Sequence, residues 1–171
     1  VAHGAHAGTD ITGFSLMGHL VEIVKNSGVE AEIVFSSIPL FTGVRELADQ
    51  EVLPGAVERN RESVDESLLD LGDLGGGERG ILFGPETSGG ILAFLPPTLA
   101  DAFVRELREK GVAAASAIGR VTRAHEAAPK SGLASVSRDQ AQAHQTLSEG
   151  AAADVAEQLI GEEKRRPSRA D

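Results

Sequence analysis

The residues best suited to chemistry lie in the segment from Thr9 to His19, which reads TDITGFSLMGH. Asp10 precedes an apolar periodicity that predicts a helix, and the free N–H groups at a helix start favour anionic groups. A carboxylate at this place either caps the helix or binds a metal ion, and capping is the commoner role. His19, near the apolar face of the same helix, is more typical of a packed or surface histidine than of a catalytic one.

A second candidate is the run PETSGG from Pro85 to Gly90. Two hydroxyl side chains and two glycines on a tight connection can present backbone N–H groups to a phosphate. The motif is short, and a simple turn between strands explains the same residue types. It is not a P-loop, because no lysine follows the glycines.

Residue types alone favour structural roles for three other segments. In LPGAVERN, Asn60 could make a polar contact or face solvent. The glycines at 75–77 indicate a flexible linker rather than a phosphate cradle. His3 and His6 could bind a metal ion by their spacing, but a terminus rich in Gly and Ala is more typical of unstructured chain.

Predicted helices and strands must position these segments. Their order along the chain indicates an α/β (α+β) fold, a mixed sheet flanked by helices. Residues 1–13 are expected to form a loop, with Asp10 and Thr12 as helix caps, and residues 65–79 a flexible acidic connection. Helices are predicted at 14–26, 43–50, 56–64 and 98–110, and strands at 29–35, 80–83, 90–95 and 114–122.

The composition changes along the chain, and the charge and hydropathy disfavour some classes of partner. Residues 1–124 are expected to form the α/β domain, and residues 125–171 a polar tail rich in Ala, Gln and Ser that is weakly helical or disordered. The formal net charge of −10 disfavours nucleic acid as a partner. No apolar run approaches the length of a membrane span. The chain opens at Val1 within turn-forming residues, which is typical of a fragment.

The sequence contains no cysteine. Disulfides, thiolate metal sites and a cysteine nucleophile in this chain are therefore excluded. The same composition is consistent with a cytoplasmic location.

Several motifs follow one another in a recognisable order between residues 7 and 123. They read TDITGF-x-LMGHL, IPL, ELADQ-x-VLPGA-x-x-RN, LFGPETSGGILAFLP and AIGRV. This succession resembles the C-terminal domain of the selenophosphate synthetases (selenide, water dikinases), which belong to the superfamily of the aminoimidazole ribonucleotide synthetases. The resemblance departs where the family often has Gly and this chain has Ser15, and where Gly84-Pro85-Glu86 replaces Asp-Pro-Gln.

The resemblance implies an enzyme that makes selenophosphate from selenide, ATP and water, with ATP held between two domains. The family's N-terminal domain usually holds the Cys or selenocysteine, an essential Lys, most metal-binding Asp residues and the homodimer contact. No catalytic residue is therefore expected in this chain. Its expected partner is its own N-terminal domain, and alone it is expected to be inactive.

The resemblance also assigns roles to individual residues. Asp10 matches a Mg²⁺ ligand of the family. The residues expected to line the shared ATP cleft are Thr9, Thr12, Gly13, Thr87, Ser88 and Gly89.

Two alternatives remain open from the sequence. One is another ATP-using enzyme of the superfamily, such as a thiamine-monophosphate kinase or an aminoimidazole ribonucleotide synthetase. The other is a standalone, non-catalytic binding module.

Overall fold

The computed structural model describes residues 4–122 and 133–139. Six strands and five α-helices lie along this part of the chain, together with two short 3-10 helices, Phe35–Ser37 and Glu66–Leu68. In order they are β1 (Ala7–Asp10), α1 (Ser15–Ser27), β2 (Glu30–Val34), α2 (Val44–Asp49), α3 (Val57–Glu62), β3 (Leu69–Asp70), α4 (Gly76–Leu82), β4 (Ile91–Phe94), α5 (Pro97–Glu109), β5 (Gly119–Thr122) and β6 (Ala134–Ser137).

The main sheet has four strands in the order β3-β6-β2-β5. Strand β2 pairs in parallel with β6 and antiparallel with β5, and β3 pairs in parallel with β6. The predicted α/β fold with a mixed sheet is therefore confirmed. The predictions of α1, α2, α3 and α5, and of the strands β2 and β4, are also confirmed to within a few residues at their ends.

Helix α1 supplies much of the core through its predicted apolar face. Met17, Leu20 and Val24 are fully buried and belong to the same cluster as Phe35 and Phe83. Burying one such side chain contributes about 1.5–3 kcal/mol relative to exposure. The helix ends at Gly28, whose φ of 65° is left-handed, as the sequence predicted. This packing fixes the position of α1, and therefore also the end of the loop that leads into it.

A separate two-stranded ribbon joins β1 to β4, antiparallel, with Asp10 opposite Ile91. The sequence predicted a loop through residue 13, and that prediction was wrong for residues 7–10. Small residues weaken the local strand pattern, but all four residues of β1 find partners on β4, from Ala7 opposite Phe94 to Asp10 opposite Ile91. Pairing across the ribbon thus overrides the weak local propensity.

The segment 65–83 differs most from expectation. The triple glycine is the start of α4, not a linker, and the Glu78 carboxylate accepts a hydrogen bond of 2.9 Å from the Gly75 N–H. A Cβ on Gly77 would lie 2.9 Å from the carbonyl carbon of Ala48, so glycine permits α4 to approach α2 closely. The strand expected at 80–83 is the end of this helix, because a short apolar run does not separate strand from helix.

The main sheet also extends past residue 124, where the sequence placed the domain boundary. Ala134 and Val136 of β6 are buried between β2 and β3. Four small residues are too weak a pattern to predict a strand from sequence. The remaining parts of the expected tail, 125–132 and 140–171, lie outside the described residues.

Strand β5 begins at Gly119, later than the expected 114. Among the described residues, no helix is long and apolar enough to cross a membrane.

Candidate functional site

The structure brings the two sequence motifs together at one end of the ribbon. The first is the loop between β1 and α1, residues 11–14, here called the α1 loop. The second is the connection from α4 to β4, residues 84–90, here called the β4 turn. The Ile11 N–H donates to the Gly90 carbonyl at 2.9 Å, and the Glu86 N–H donates to the Thr12 carbonyl at 3.2 Å. These two backbone bonds seat the β4 turn directly against the α1 loop.

Gly89 makes this close seating possible. A Cβ at this position would lie 2.3 Å from the carbonyl oxygen of Ile11 and 2.9 Å from the Cβ of Glu86. Real Cβ atoms do not approach a backbone oxygen so closely, so any other residue would push the turn away from the loop. At Gly90 a Cβ would meet nothing within 4 Å. Close packing therefore requires glycine at position 89 but not at position 90.

Asp10 ends β1 as an exposed residue and is not a helix cap. Helix α1 begins at Ser15, Phe14 occupies the capping position, and no side chain caps it. The capping roles expected for Asp10 and Thr12 were therefore wrong. The Asp10 carboxylate makes no hydrogen bond or ion pair within residues 4–122 and 133–139, while Thr9 Oγ1 donates to the Asp10 backbone carbonyl at 3.1 Å.

The residues of this end of the ribbon do not form a complete Mg²⁺ site. They fit a site that takes its other ligands from elsewhere. In the part of the chain that the structure describes, no group of three His, Asp or Glu side chains could hold a metal ion. Mg²⁺ in phosphate-transfer sites typically takes one or two protein carboxylates and fills its remaining positions with phosphate oxygens and water. The exposed carboxylate of Asp10, unpaired among the described residues, is a candidate for one such oxygen ligand.

The β4 turn offers donors suited to an oxyanion. Within the described residues, the backbone N–H groups of Thr87, Ser88 and Gly89 donate to no acceptor. Thr87 and Ser88 are exposed, with hydroxyls available as further donors. Successive backbone N–H groups form an anion-binding concavity when the turn directs them to one side. These donors make the β4 turn a candidate site for part of a phosphate group, without a P-loop lysine.

His19 fixes the α1 loop from within α1. Its Nε2 lies 3.2 Å from the Thr12 backbone nitrogen and 2.9 Å from Thr12 Oγ1. The Thr12 N–H donates to Nε2, so the ring binds the backbone of the loop directly. The ring also meets the edge of Phe14, with centroids 6.1 Å apart and planes at 81°. The sequence predicted a packed or surface role for His19 and gave no indication of this contact.

Asn60 of α3 holds the α1 loop from the opposite side. Its Nδ2 donates to the Gly13 carbonyl at 2.9 Å and to the Phe83 carbonyl at 3.0 Å, and the residue is only 5% exposed. The sequence contained a usable indication, since Val57 and Val64 both pack on the core. Their spacing places Asn60 on the same buried face.

Ser15 occupies a strained position at the end of the α1 loop. Its φ is 71°, it is fully buried, and its Oγ accepts from the Gly18 N–H at 3.3 Å. A left-handed conformation costs a residue other than glycine about 1–2 kcal/mol. The departure noted in the sequence therefore falls where glycine is favoured, and the serine hydroxyl offsets part of the strain.

The chain belongs to a known domain family. Residues 1–131 match the family described as AIR synthase related protein, C-terminal domain. The mixed sheet with flanking helices agrees with this assignment.

Among curated proteins, the chain is similar to selenide, water dikinases. It is 39% identical over 115 residues to that of Geobacter metallireducens, covering 67% of this chain and 33% of the relative. It is 40% identical over 119 residues to that of Agathobacter rectalis, covering 70% and 34%. With that of Cronobacter sakazakii it shares 36% identity over 126 residues, covering 74% and 35%. The chain thus spans about a third of the length of these relatives.

Proposed function

We propose that this domain forms one side of the Mg-ATP cleft of a selenide, water dikinase, an enzyme that makes selenophosphate from selenide, ATP and water. The observation that supports the proposal most is the seating of the β4 turn against the α1 loop through the Ile11–Gly90 and Thr12–Glu86 backbone bonds. The names of the similar proteins support the choice of reaction.

On this proposal, each loop has a distinct task. Asp10 would supply one oxygen ligand to the Mg²⁺ bound with ATP, and the N–H groups of the β4 turn would bind phosphate oxygens. Bound Mg²⁺ would neutralise phosphate charge during transfer. The residues that line this side of the cleft are Thr9, Thr12, Gly13, Thr87, Ser88 and Gly89.

The negative charge of this domain explains why it would need a second domain to bind ATP. The net charge is −10, and both Asp10 and Glu86 are exposed beside the loops. Neither carboxylate is in an ion pair within residues 4–122 and 133–139, so the site repels ATP unless Mg²⁺ and positive side chains come from elsewhere. We propose that the N-terminal domain of the intact enzyme supplies the nucleophile, a lysine, the other metal ligands and the dimer contact.

A chimeric enzyme tests this function. The matching third of the Geobacter metallireducens selenide, water dikinase would be replaced by the 171-residue chain. Selenide-dependent ATP consumption and selenophosphate formation would be followed by phosphorus NMR, with the unsubstituted relative as the positive control.

We expect selenophosphate formation by the chimera and none by the chain alone. A chimera that folds, as judged by circular dichroism and a cooperative thermal transition, yet forms no selenophosphate would contradict the proposal. ATP turnover that does not depend on selenide would contradict the choice of reaction and favour another ATP-using enzyme of the superfamily.

A further inference from the structure

Asn60 connects the far ends of the two site segments. Its buried amide group donates to the carbonyl of Gly13, at the α1 loop, and to the carbonyl of Phe83, immediately before the β4 turn. The near ends of the same segments are already joined, because the Ile11 N–H donates to the Gly90 carbonyl. The loop and the turn are thus tied to each other at both ends.

The residue that links the Gly13 and Phe83 carbonyls must have two hydrogen-bond donors. Two backbone carbonyls cannot bond to each other, and the Phe83 carbonyl, whose bond to Asn60 is buried, would lose free energy without a donor. The NH₂ of an asparagine side chain has two hydrogens, one for each carbonyl. Aspartate would present oxygens to the carbonyls, and leucine would present no donor. An asparagine on the short helix α3 therefore satisfies both segments at once.

We propose that Asn60 is a positioning residue that sets the spacing between the α1 loop and the β4 turn, and thereby the affinity for Mg-ATP. Asn60 touches neither Asp10 nor the N–H groups of Thr87, Ser88 and Gly89. It acts through the backbone that bears them. The effect on Mg-ATP rests on the proposed function, whereas the structural role of Asn60 can be tested without it.

The first test uses the full, unsubstituted chain. Asn26 is the only other asparagine in the sequence and is exposed at the end of α1, so it serves as an internal reference. Both Nδ2 protons of Asn60 should exchange with solvent at least roughly tenfold more slowly than those of Asn26, because both are held in hydrogen bonds, one buried and one part-buried, by a side chain that is only 5% exposed. Exchange of either proton at the rate of Asn26 would overturn the proposal.

The second test asks whether Asn60 controls the spacing. The Glu86 N–H reports it directly, since its acceptor is the Thr12 carbonyl across the gap. In Asn60→Ala, this amide should exchange roughly tenfold faster, while amides in the middle of α1 change little. The matched control is Ser63→Ala, which removes a bond from the same helix to the Asn60 carbonyl and none to the site. Unchanged Glu86 exchange in a folded Asn60→Ala chain would overturn the proposal.

The third test measures the consequence for the reaction in the chimera. Asn60→Ala should raise KM for Mg-ATP about tenfold, whereas Ser63→Ala should leave it unchanged. A residue with only a structural role would reduce the amount of active enzyme and leave KM for Mg-ATP unaltered, and that result would overturn the positioning role. A chimera with no selenide-dependent activity would contradict the proposed function, and the two exchange measurements would still decide the role of Asn60.

Discussion

His19 Nε2 accepts the backbone N–H of Thr12 at 3.2 Å and lies 2.9 Å from the hydroxyl of the same threonine. The helix that follows the α1 loop therefore holds that loop with one of its own side chains. Thr12 also accepts the Glu86 N–H through its carbonyl, so the same residue links His19 to the β4 turn. The position of the turn depends on a contact that no local sequence pattern expresses.

Replacing His19 should destabilise the domain more than replacing its partner hydroxyl. His19→Ala leaves the half-buried Thr12 N–H without an acceptor, and we expect the free energy of unfolding to fall by about 1–3 kcal/mol. Thr12→Val keeps the N–H bond and removes only the hydroxyl contact, so its effect should be smaller. Urea unfolding of the two variants checks this order. Equal losses would show that the N–H bond contributes nothing.

Two adjacent glycines should respond differently to one added methyl group. Gly89→Ala places a Cβ 2.3 Å from the Ile11 carbonyl oxygen, whereas Gly90→Ala places one where nothing lies within 4 Å. We expect Gly89→Ala to lower the free energy of unfolding by about 1–3 kcal/mol through overpacking, and Gly90→Ala to have little effect. Thermal unfolding distinguishes them. A neutral Gly89→Ala would mean that the turn is not seated against the loop.

The triple glycine offers a second matched pair. A Cβ on Gly77 would lie 2.6 Å from Asp49 Oδ1, while a Cβ on Gly76 would meet nothing within 4 Å. Gly76→Ala should stabilise the start of α4 by up to about 1 kcal/mol through helix propensity. Gly77→Ala should destabilise the domain by about 1–3 kcal/mol, because α4 must move away from α2. If both variants were stabilised in urea unfolding, the glycines would not mark close helix packing.

Glu78 should make stability depend on pH. Burial raises the pKa of its carboxyl, but the Gly75 N–H and the Arg138 guanidinium together lower it more, and the net pKa lies below the usual glutamate range. Since the folded pKa is the lower one, this contribution is complete above the unfolded pKa and is lost as pH falls through the folded pKa.

Glu78→Gln should therefore lose less stability than the parent chain between about pH 6 and about pH 3. The control is Glu62→Gln, at an exposed position of α3. Urea unfolding across this range checks the prediction. Identical pH profiles for Glu78→Gln and the parent chain would refute it.

Local patterns predicted the elements that have strong periodicity or clear ends. Helix α1 could be predicted because its apolar residues recur every third or fourth position and Gly28 ends it. Strand β1 and the start of α4 could not. Strand β1 forms by pairing with the distant β4, and α4 begins with glycines whose fit against α2 appears only when Ala48, the partner of Gly77, is in place.

The two candidate segments could be chosen from the sequence, but the residues that hold them together could not. Thr9 to Gly13 and Thr87 to Gly89 were selected by motif, and the ribbon brings them to one place. Asn60 and His19 were not selected, because each acts through backbone groups distant in sequence or outside any regular element. Their functional assignments, and that of Asp10, stay predictions until the intact enzyme is measured.

The most direct test of the Mg-ATP site is Asp10→Asn in the chimeric enzyme. The matched control is Asp101→Asn, an exposed position on α5. Asparagine keeps the shape of Asp10 but lacks the charge that Mg²⁺ needs, so selenophosphate formation should fall at least about a hundredfold. Thermal stability should remain that of the parent, and Asp101→Asn should be fully active. Normal selenophosphate formation by Asp10→Asn would contradict the assignment of Asp10 as a metal ligand.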